Sequence, residues 1–375
     1  CTSLWFAGNA VMSDIINEYG LRNAAVGYFT SAVQLGFILG TLVLSVLTIS
    51  DRFSPSAVFL ISAILGAVFN LSVFVFESTA GVLLSRFLTG VCLAGIYPVG
   101  MKIASDYHEK GLGKALGYLV GALVLGTAFP HLIKAMGTSL PWRYVLLCTS
   151  AMAIVGGLLI GLFVPNGPYR VKAGKPDFSL FAKLFRNRDF RSAAMGYFGH
   201  MWELYTFWAF VPLIIITWSE MSGSHIDTSL WSFIAIAIGS LSCVVGGHIS
   251  LKKGSAKVAA TALTVSMLCC LCSPLLFSMN VYMMVLFLLV WGVSVIADSP
   301  QFTTLIAQSV SPTEKGTALT IANAIGFLIT VLSIQLLSIL REMMDPRFLF
   351  LILSVGPVLG LIAFRRHIIK LSSST

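Results

Sequence analysis

The stretch Leu83–Gly126 reads LLSRFLTGVCLAGIYPVGMKIASDYHEKGLGKALGYLVGALVLG, with two apolar runs on either side of a polar turn at Asp106–Lys114. The first run is long enough to cross a bilayer, yet it contains Arg86 and Lys102. A charge at the bilayer centre costs roughly 2.5–3.5 kcal/mol, so such residues normally face a protein interior or a wet cavity. The stretch therefore predicts a cavity-lining helix, an intracellular turn and a closely packed return helix.

The composition of the whole chain indicates the same environment. Its 375 residues are 57% hydrophobic and only 10% charged, and the mean hydropathy is +0.90. In soluble domains about a quarter of the residues are charged. A spanning helix needs about 20 apolar residues, so the chain accommodates about twelve spans with short loops. We therefore predict an all-α membrane protein with twelve transmembrane helices.

The formal net charge of +9 would suggest a nucleic-acid partner in a soluble protein. Here most Lys and Arg residues fall in predicted loops on one side, including Arg52, the linker at 165–192 and residues 252–257. This distribution is typical of the positive-inside bias. We therefore expect a lipid bilayer and no nucleic acid as partner. An even number of spans places both termini in the cytoplasm, in the inner membrane of a bacterium.

The seven cysteines all fall in apolar runs, which argues against a disulfide framework. The cluster at residues 269–272 has no His or carboxylate near it in its run. We expect these cysteines to pack within helices, and we predict no metal and no cofactor.

Twelve apolar segments can be placed along the chain. The predicted helices are Cys1–Met12, Ala25–Ile49, Ala57–Phe76, Ala80–Ser105, Ala115–Met136, Trp142–Val164, Ala193–Trp218, Ser229–Ser250, Val258–Phe277, Val281–Gln308, Ala318–Leu340 and Phe348–Phe364. Because the chain begins inside an apolar segment, we expect the first helix to be truncated.

A polar linker divides these segments into two sets of six. The predicted domains are residues 1–164 and 193–375, joined by a cytoplasmic linker at 165–192. Within the linker, Phe178–Arg191 alternates apolar and basic residues at helical spacing, which predicts an amphipathic helix at the membrane surface. Glu109-Lys110-Gly111 before the fifth helix matches Glu314-Lys315-Gly316 before the eleventh. Parallel repeats of six spans are typical of one large transporter architecture.

The turn between the second and third predicted helices carries a recognisable motif. Ser50–Pro55 reads SDRFSP, and its Asp51 and Arg52 match the pattern Gly-x-x-x-Asp-Arg-x-Gly-Arg-Arg. The first glycine is Leu47 here, the second is Ser54, and the final basic pair is absent. With this partial motif, and over essentially its whole length, the chain resembles the major facilitator superfamily.

The fourth and fifth helices add to that resemblance. Arg86 followed by Gly90 and Gly95 is similar to the family's helix 4 signature. The glycine–proline pair of the family's antiporters is missing from helix 5, where Pro130 comes late, and this favours uptake over efflux. The stretches 197–212 and 297–302 are similar to prokaryotic members grouped with nitrate/nitrite and cyanate-type carriers.

The resemblance implies a cavity lined by helices 1, 4, 7 and 10, and the polar residues of the apolar runs fall on those helices. Arg86, Lys102, Glu203 and Asp298 would together cost about 10–14 kcal/mol if they faced lipid, so we place them inside. The candidates for substrate binding are Asn9, Arg86, Tyr97, Tyr205 and Gln301. The candidates for proton coupling are His200, Glu203 and Asp298, and those for gating are Asp51 and Arg52.

His200 and Glu203 are three residues apart and therefore share one face of a helix. An imidazole beside a carboxylate is suited to exchanging a proton near neutral pH. The two residues predict a proton-coupling site, and a satisfied structural hydrogen bond that packs helix 7 is an equal alternative.

Arg86 can hold a carboxylate or oxyanion in a bidentate way, and in the family the helix 4 arginine is also linked to proton coupling. Asp298 precedes Pro300, where we predict a kink, and its partner could be a cation, a proton or Arg86. Asp51 and Arg52 resemble a latch at the cytoplasmic face that closes in one state only.

These observations predict a secondary transporter, expected to be a monomer. It would take up a small organic or inorganic anion together with protons, by alternating access. The alternative is proton-driven efflux of amphipathic compounds. An intramembrane enzyme is disfavoured because the sequence has no HExxH motif and no nucleophile–base pair. A receptor is disfavoured because no polar stretch is long enough for an extramembrane domain.

Overall fold

The computed structural model describes residues 1–20, 25–108, 112–137, 141–170, 180–311 and 314–372, without the side chains of 25, 26, 51, 112–114 and 366–372. Every regular element in these ranges is a helix. Eleven of the segments described are long and apolar enough to cross a membrane, and they correspond to the second to twelfth predicted helices. The predicted all-α membrane fold is therefore confirmed.

The helices divide between the two halves of the chain. In the first half they are α1 Ala7–Ala10, α2 Met12–Tyr19, α3 Ala25–Val46, α4 Ile49–Arg52, α5 Pro55–Leu71, α6 Thr79–Ala94, α7 Tyr97–Tyr107, α8 Leu112–Met136 and α9 Arg143–Phe163. In the second half they are α10 Phe181–Arg186, α11 Arg188–Ser222, α12 Thr228–Lys253, α13 Ser255–Leu276, α14 Val281–Ala297, α15 Ser299–Gln308, α16 Lys315–Leu340, α17 Pro346–Leu349 and α18 Val355–Ser372.

The chain forms two compact units. The N-terminal unit comprises Cys1–Ala115 and Ala122–Lys175, and the C-terminal unit comprises Leu116–Gly121 and Pro176–Thr375. Each unit has its own packed interior and is described by itself below. We retain the boundaries at residues 164 and 193 as a proposal for the functional domains.

Glycines let two helices of the N-terminal unit approach closely. A Cβ atom added to Gly36 of α3 would lie 2.0 Å from the carbonyl oxygen of Phe87. One added to Gly90 of α6 would lie 2.1 Å from the carbonyl oxygen of Val33. Any larger residue at these positions would force the backbones apart. Small residues at such contacts are the usual means of packing helices in a bilayer.

The C-terminal unit packs its corresponding pair, α12 against α14, in the same way. A Cβ atom on Gly292 would lie 1.9 Å from the carbonyl oxygen of Ala235. The second and fourth spans of each six-helix set therefore share one mode of contact, as expected for two pseudo-repeats.

Four of the spans predicted as single helices are interrupted in the ranges described, namely the first, the fourth, the tenth and the twelfth, which divides into α17, a 3₁₀ turn at Phe350–Ser354 and α18. The first continues to Tyr19, beyond the predicted end at Met12, and consists of a 3₁₀ turn at Thr2–Leu4 followed by α1 and α2. The fourth is divided into α6 and α7, and the tenth into α14 and α15 at Asp298. Discontinuous helices in transporters commonly form solute and ion sites.

The break in the tenth span lies two residues before Pro300, where the sequence predicts only a kink. Asp298 ends α14 and begins α15, and Pro300 falls in the first turn of α15. The first turn of a helix leaves its N–H groups without partners, so the missing N–H of proline costs nothing there. Proline therefore starts a new helix and does not merely bend an existing one.

The amphipathic linker helix ends before the predicted end at Arg191. Helix α10 is described over Phe181–Arg186, and residues from Arg188 onward belong to α11. The reason is Asn187, which has an extended backbone and accepts hydrogen bonds from the backbone N–H groups of Asp189 and Phe190. It thereby acts as an N-cap and starts a new helix.

Some predicted features fall outside the part of the chain that the structure describes. These are the turn at residues 109–111, Phe178 with most of the linker, and the side chain of Asp51.

Candidate functional sites

Arg86 lies in the interior of the N-terminal unit, where it is only 2% exposed. Its Nη2 donates hydrogen bonds to the carbonyl oxygens of Trp5, at 2.7 Å, and Leu4, at 3.1 Å. Its Nη1 donates to Oδ1 of Asn70 at 3.0 Å. Within the described ranges no carboxylate lies at ion-pair distance from this guanidinium. Arg86 is therefore a buried cation held only by neutral acceptors.

Asn70, which the sequence analysis missed, holds Arg86 in place. It is fully buried on α5, and its amide nitrogen is shared among acceptors on α9, at 3.0 Å from Ser150 Oγ and 3.4 Å from Thr149 Oγ1. The arginine thus connects α5, α6 and the interrupted first span. An asparagine in an otherwise apolar run was the signal that could have identified this residue.

Asn9 and Tyr97, the other substrate-binding candidates of this unit, lie at the two interruptions. Asn9 on α1 is half-buried and donates from Nδ2 to Oγ1 of Thr30 at 2.7 Å. Tyr97 is the half-buried first residue of α7. Next to Asn9, a Cβ atom on Gly8 would lie 3.1 Å from Nε of Arg86. The first span therefore approaches the guanidinium closely.

Arg52, a gating candidate, is exposed on the short helix α4. Its Nε donates to Oγ1 of Thr48 at 3.1 Å, and Thr48 has a left-handed backbone with φ of 52°. A threonine rarely adopts this conformation, which marks a sharp reversal of the chain before α4. The side chain of Asp51 lies outside those described, so the latch stays a prediction.

In the C-terminal unit, His200 of α11 faces Asp298 at the break of the tenth span. Nδ1 of His200 lies 2.8 Å from Oδ1 of Asp298, and each side chain is 1% exposed. Neither Nε2 of His200 nor Oδ2 of Asp298 has a hydrogen-bond partner among the residues described. The pair therefore brings an imidazole and a carboxylate together in the interior while leaving polar atoms available.

The shared helix face suggested that Glu203, one turn further along α11, would contact His200. In the structure Glu203 binds other residues instead. Its Oε1 accepts hydrogen bonds from Ser266 Oγ, from Trp291 Nε1 at 2.6 Å and from Cys270 Sγ at 3.2 Å. These donors come from α13 and α14. Glu203 thus joins three helices, and the carboxylate partner of His200 is Asp298, which the sequence analysis had considered as a partner for Arg86.

The remaining candidates of this unit are buried near the same helices. Gln301 is one turn into α15, and its backbone N–H donates to the carbonyl oxygen of Asp298 at 3.0 Å. Tyr205 packs between the rings of Trp208 and Phe327, each with its centroid 5.2 Å away. These contacts place Gln301 beside the Asp298 break and Tyr205 in an aromatic cluster.

Asn323 of α16 is a further, half-buried polar residue that the sequence analysis missed. Its Oδ1 accepts a hydrogen bond from the hydroxyl of Tyr197 at 3.0 Å. The ring of Tyr197 in turn lies 6.0 Å from that of His200. Tyr197 therefore links the contact between α11 and α16 to the neighbourhood of the His200–Asp298 pair.

Sequence comparison relates the chain to known transporters. The family model described as Major Facilitator Superfamily matches residues 2–334. The chain is 25% identical over 177 residues to the niacin transporter NiaP of Acinetobacter baylyi, and 23% identical over 210 residues to a galacturonate transporter of Dickeya chrysanthemi. The matched stretches cover 44% and 50% of this chain but only 38% and 60% of those relatives.

Structural comparison extends over nearly the whole chain. The crystal structure of a mutant of the nucleoside transporter NupG superposes with a TM-score of 0.73, covering 97% of this chain and 96% of the other. The identity is 15%, so this likeness shows a shared fold.

Proposed function

We propose that this chain, which belongs to the Major Facilitator Superfamily, takes up a small carboxylate-bearing solute together with protons by alternating access. The family and the similar proteins are transporters and not enzymes. The two curated relatives are named for niacin and galacturonate, both of which are carboxylic acids. Those names support the small anion that the buried arginine predicts.

The observation that carries the proposal is the environment of Arg86. A buried charge is normally paired, since an isolated ion in a medium of low polarity is strongly disfavoured. The carbonyl and amide oxygens around Arg86 accept three hydrogen bonds from its guanidinium but bring no negative charge. A carboxylate bound near the interrupted first span would supply that charge. The solute is then the counterion that this interior lacks.

Proton coupling is assigned to the three acidic and imidazole candidates of the C-terminal unit. His200 and Asp298 exchange the proton, because they lie 2.8 Å apart and keep polar atoms without protein partners. Protonation of the carboxylate would remove one charge of the pair and change its attraction for the imidazole. Glu203 supports them by fixing α11 against α13 and α14.

The membrane orientation and the cytoplasmic latch are proposed from the residues in and beside the loops. Lys252 and Lys253 end α12, and with the other basic loops they orient the protein with both termini in the cytoplasm of a bacterial cell. Asp51 and Arg52 form the cytoplasmic latch of the family motif. The transporter works as a monomer in the inner membrane.

Uptake into proteoliposomes tests the proposal directly. Radiolabelled galacturonate and niacin are supplied outside, with and without an inward proton gradient. We expect the gradient to stimulate accumulation of at least one of the two acids. No stimulation with either acid, together with gradient-driven expulsion of a lipophilic dye, would instead support an exporter.

The role of Arg86 is tested by removing its charge. Hydrogen bonds to charged groups contribute about 1.5–3 kcal/mol, so Arg86→Gln should reduce the apparent affinity for the transported acid by at least about tenfold. Arg86→Lys keeps the charge without the bidentate geometry and should retain partial activity. Arg347→Gln, at an exposed arginine on α17, is the matched control and should transport normally. A folded Arg86→Gln protein with unchanged affinity would contradict the proposal.

A further inference from the structure

The interrupted first span of the N-terminal unit has a second polar neighbour besides Arg86. The backbone departs from helical geometry at Phe6 and again at Val11, on either side of α1. Arg86 approaches this segment from α6, and α3 packs against it as well. In transporters such interruptions lie where the solute binds.

One face of the helix α3 packs against this interrupted segment. Thr30 accepts a hydrogen bond from Asn9, and the ring of Phe37 lies 4.7 Å from that of Trp5. Gln34 is four residues after Thr30 and three before Phe37, so the three side chains share one face of the helix. Gln34 is therefore on the face of α3 that contacts the Trp5–Asn9 segment.

Gln34 is buried without a partner. It is 0% exposed, and neither its Nε2 nor its Oε1 makes a hydrogen bond to any residue described. A buried amide left in this state destabilises the folded protein. Nearly all buried polar groups in folded proteins are satisfied, and the exceptions call for an explanation. The close packing of α3 on α6 uses Gly36 and the Val33 backbone, and does not need this side chain.

We propose that Gln34 is a specificity residue that binds the neutral polar part of the transported solute. This inference rests on the proposed uptake of a carboxylate. A carboxylate only accepts hydrogen bonds, whereas the free amide of Gln34 offers a donor and an acceptor side by side. Its complement is a group that also donates and accepts, such as the hydroxyls of a sugar acid. Arg86 then takes the carboxylate, and Gln34 selects hydroxylated acids over acids without hydroxyl groups.

The experiment compares two acids in one protein. Galacturonate carries hydroxyl groups beside its carboxylate, and niacin has none. In proteoliposomes, Gln34→Leu should raise the KM for galacturonate at least about tenfold, since a site built for hydroxyl groups discriminates strongly. The KM for niacin should change less than about twofold. Gln34→Asn, which keeps the amide on a shorter side chain, should show the same selective loss. Ser45→Ala, which removes a hydroxyl further along α3, is the matched control.

A purely structural role makes a different prediction. Replacing an unsatisfied buried amide by an apolar side chain of similar size is neutral or stabilising, so the ligand-free Gln34→Leu protein should melt no lower than the wild type. A lower melting temperature, with equal losses for both acids, would overturn the inference in favour of a packing role. Unchanged kinetics for galacturonate would overturn it too, while the proposed function stands. If the wild type takes up neither acid, the proposed function fails and the inference fails with it.

Discussion

Glu203 and Asp298 are two buried carboxylates of the same unit with opposite surroundings. Three donors from α13 and α14 converge on one oxygen of Glu203. Asp298 lies 2.8 Å from His200, and its second oxygen has no hydrogen-bond partner in the described ranges. Glu203 is fixed in one arrangement. Asp298 lies at a helix break and keeps an oxygen without a hydrogen-bond partner among the described residues.

The difference teaches that burial alone does not identify a coupling residue. A carboxylate that accepts three hydrogen bonds loses all of them at once if the helices separate, so it favours a single packing. A carboxylate with one ionic partner can exchange a proton without dismantling the helix contacts around it. Glu203 is therefore suited to holding the unit together, and the His200–Asp298 pair to changing with the transport cycle.

The largest effect is expected at Asp298. An inward gradient of one pH unit can drive about tenfold accumulation per coupled proton, because each pH unit is worth about 1.4 kcal/mol. Asp298→Asn cannot release a proton, so this accumulation should disappear while exchange of labelled for unlabelled solute continues. Proteoliposome uptake and counterflow measure the two activities separately.

The matched control is Asp345→Asn, the same substitution at an exposed carboxylate before α17. It should accumulate solute like the wild type. If Asp298→Asn still concentrates the solute under a gradient, another residue carries the proton. The different surroundings of Glu203 and Asp298 would then not explain proton coupling.

A smaller effect, on stability, is expected at Glu203. Glu203→Ala leaves the donors of Ser266, Cys270 and Trp291 without their acceptor, which should lower the free energy of unfolding by roughly 2–4 kcal/mol. Thermal unfolding in detergent measures this loss. Glu203→Gln keeps an acceptor oxygen and should remain coupled to the proton gradient. A folded Glu203→Gln protein that transports without coupling would assign the proton to Glu203, as the sequence also allowed.

The smallest effect is expected at Glu314, a half-buried carboxylate that precedes α16 and pairs with an exposed lysine. Its Oε1 lies 2.6 Å from Nζ of Lys183 on α10, and its Oε2 accepts a hydrogen bond from Ser311. The hydrogen bond from Lys183 has the largest effect in lowering the pKa of Glu314, and the hydrogen bond from Ser311 lowers it further. Because the folded pKa is depressed, the stabilisation is present at neutral pH and is lost as the pH falls through that lowered pKa.

Glu314→Gln should therefore lower the melting temperature by only about 1 °C at pH 7, since exposed ion pairs contribute little. The difference from the wild type should vanish in acid and shrink in high salt. A difference that grows as the pH falls would show that the contact acts in some other way.

The burial of the charged residues was predictable one residue at a time. Arg86, Glu203 and Asp298 are all in the interior, as the cost of exposing a charge to lipid requires. Their partners were not predictable, because they are distant in the sequence. Ser266 is 63 residues from Glu203, and Leu4 is 82 from Arg86.

The interruptions of the spans were only partly predictable. Pro300 indicated a disturbance near Asp298, but the first span carries no proline between residues 1 and 20 and was read as one helix. Its irregular backbone is stabilised by Arg86, which binds carbonyl oxygens at Leu4 and Trp5. Such a break depends on a side chain from another helix, so local sequence cannot reveal it.

The sequence by itself determined the all-helical membrane fold and the placement of Arg86, Glu203 and Asp298 inside. These follow from the hydropathy of each segment, which is a property of its own residues. Only the tertiary structure decided that His200 belongs with Asp298, that one oxygen of Glu203 accepts three hydrogen bonds, and that Gln34 has no hydrogen-bond partner among the described residues. Hydrogen bonding depends on distances and angles between atoms of different helices, and those are set only when the helices pack.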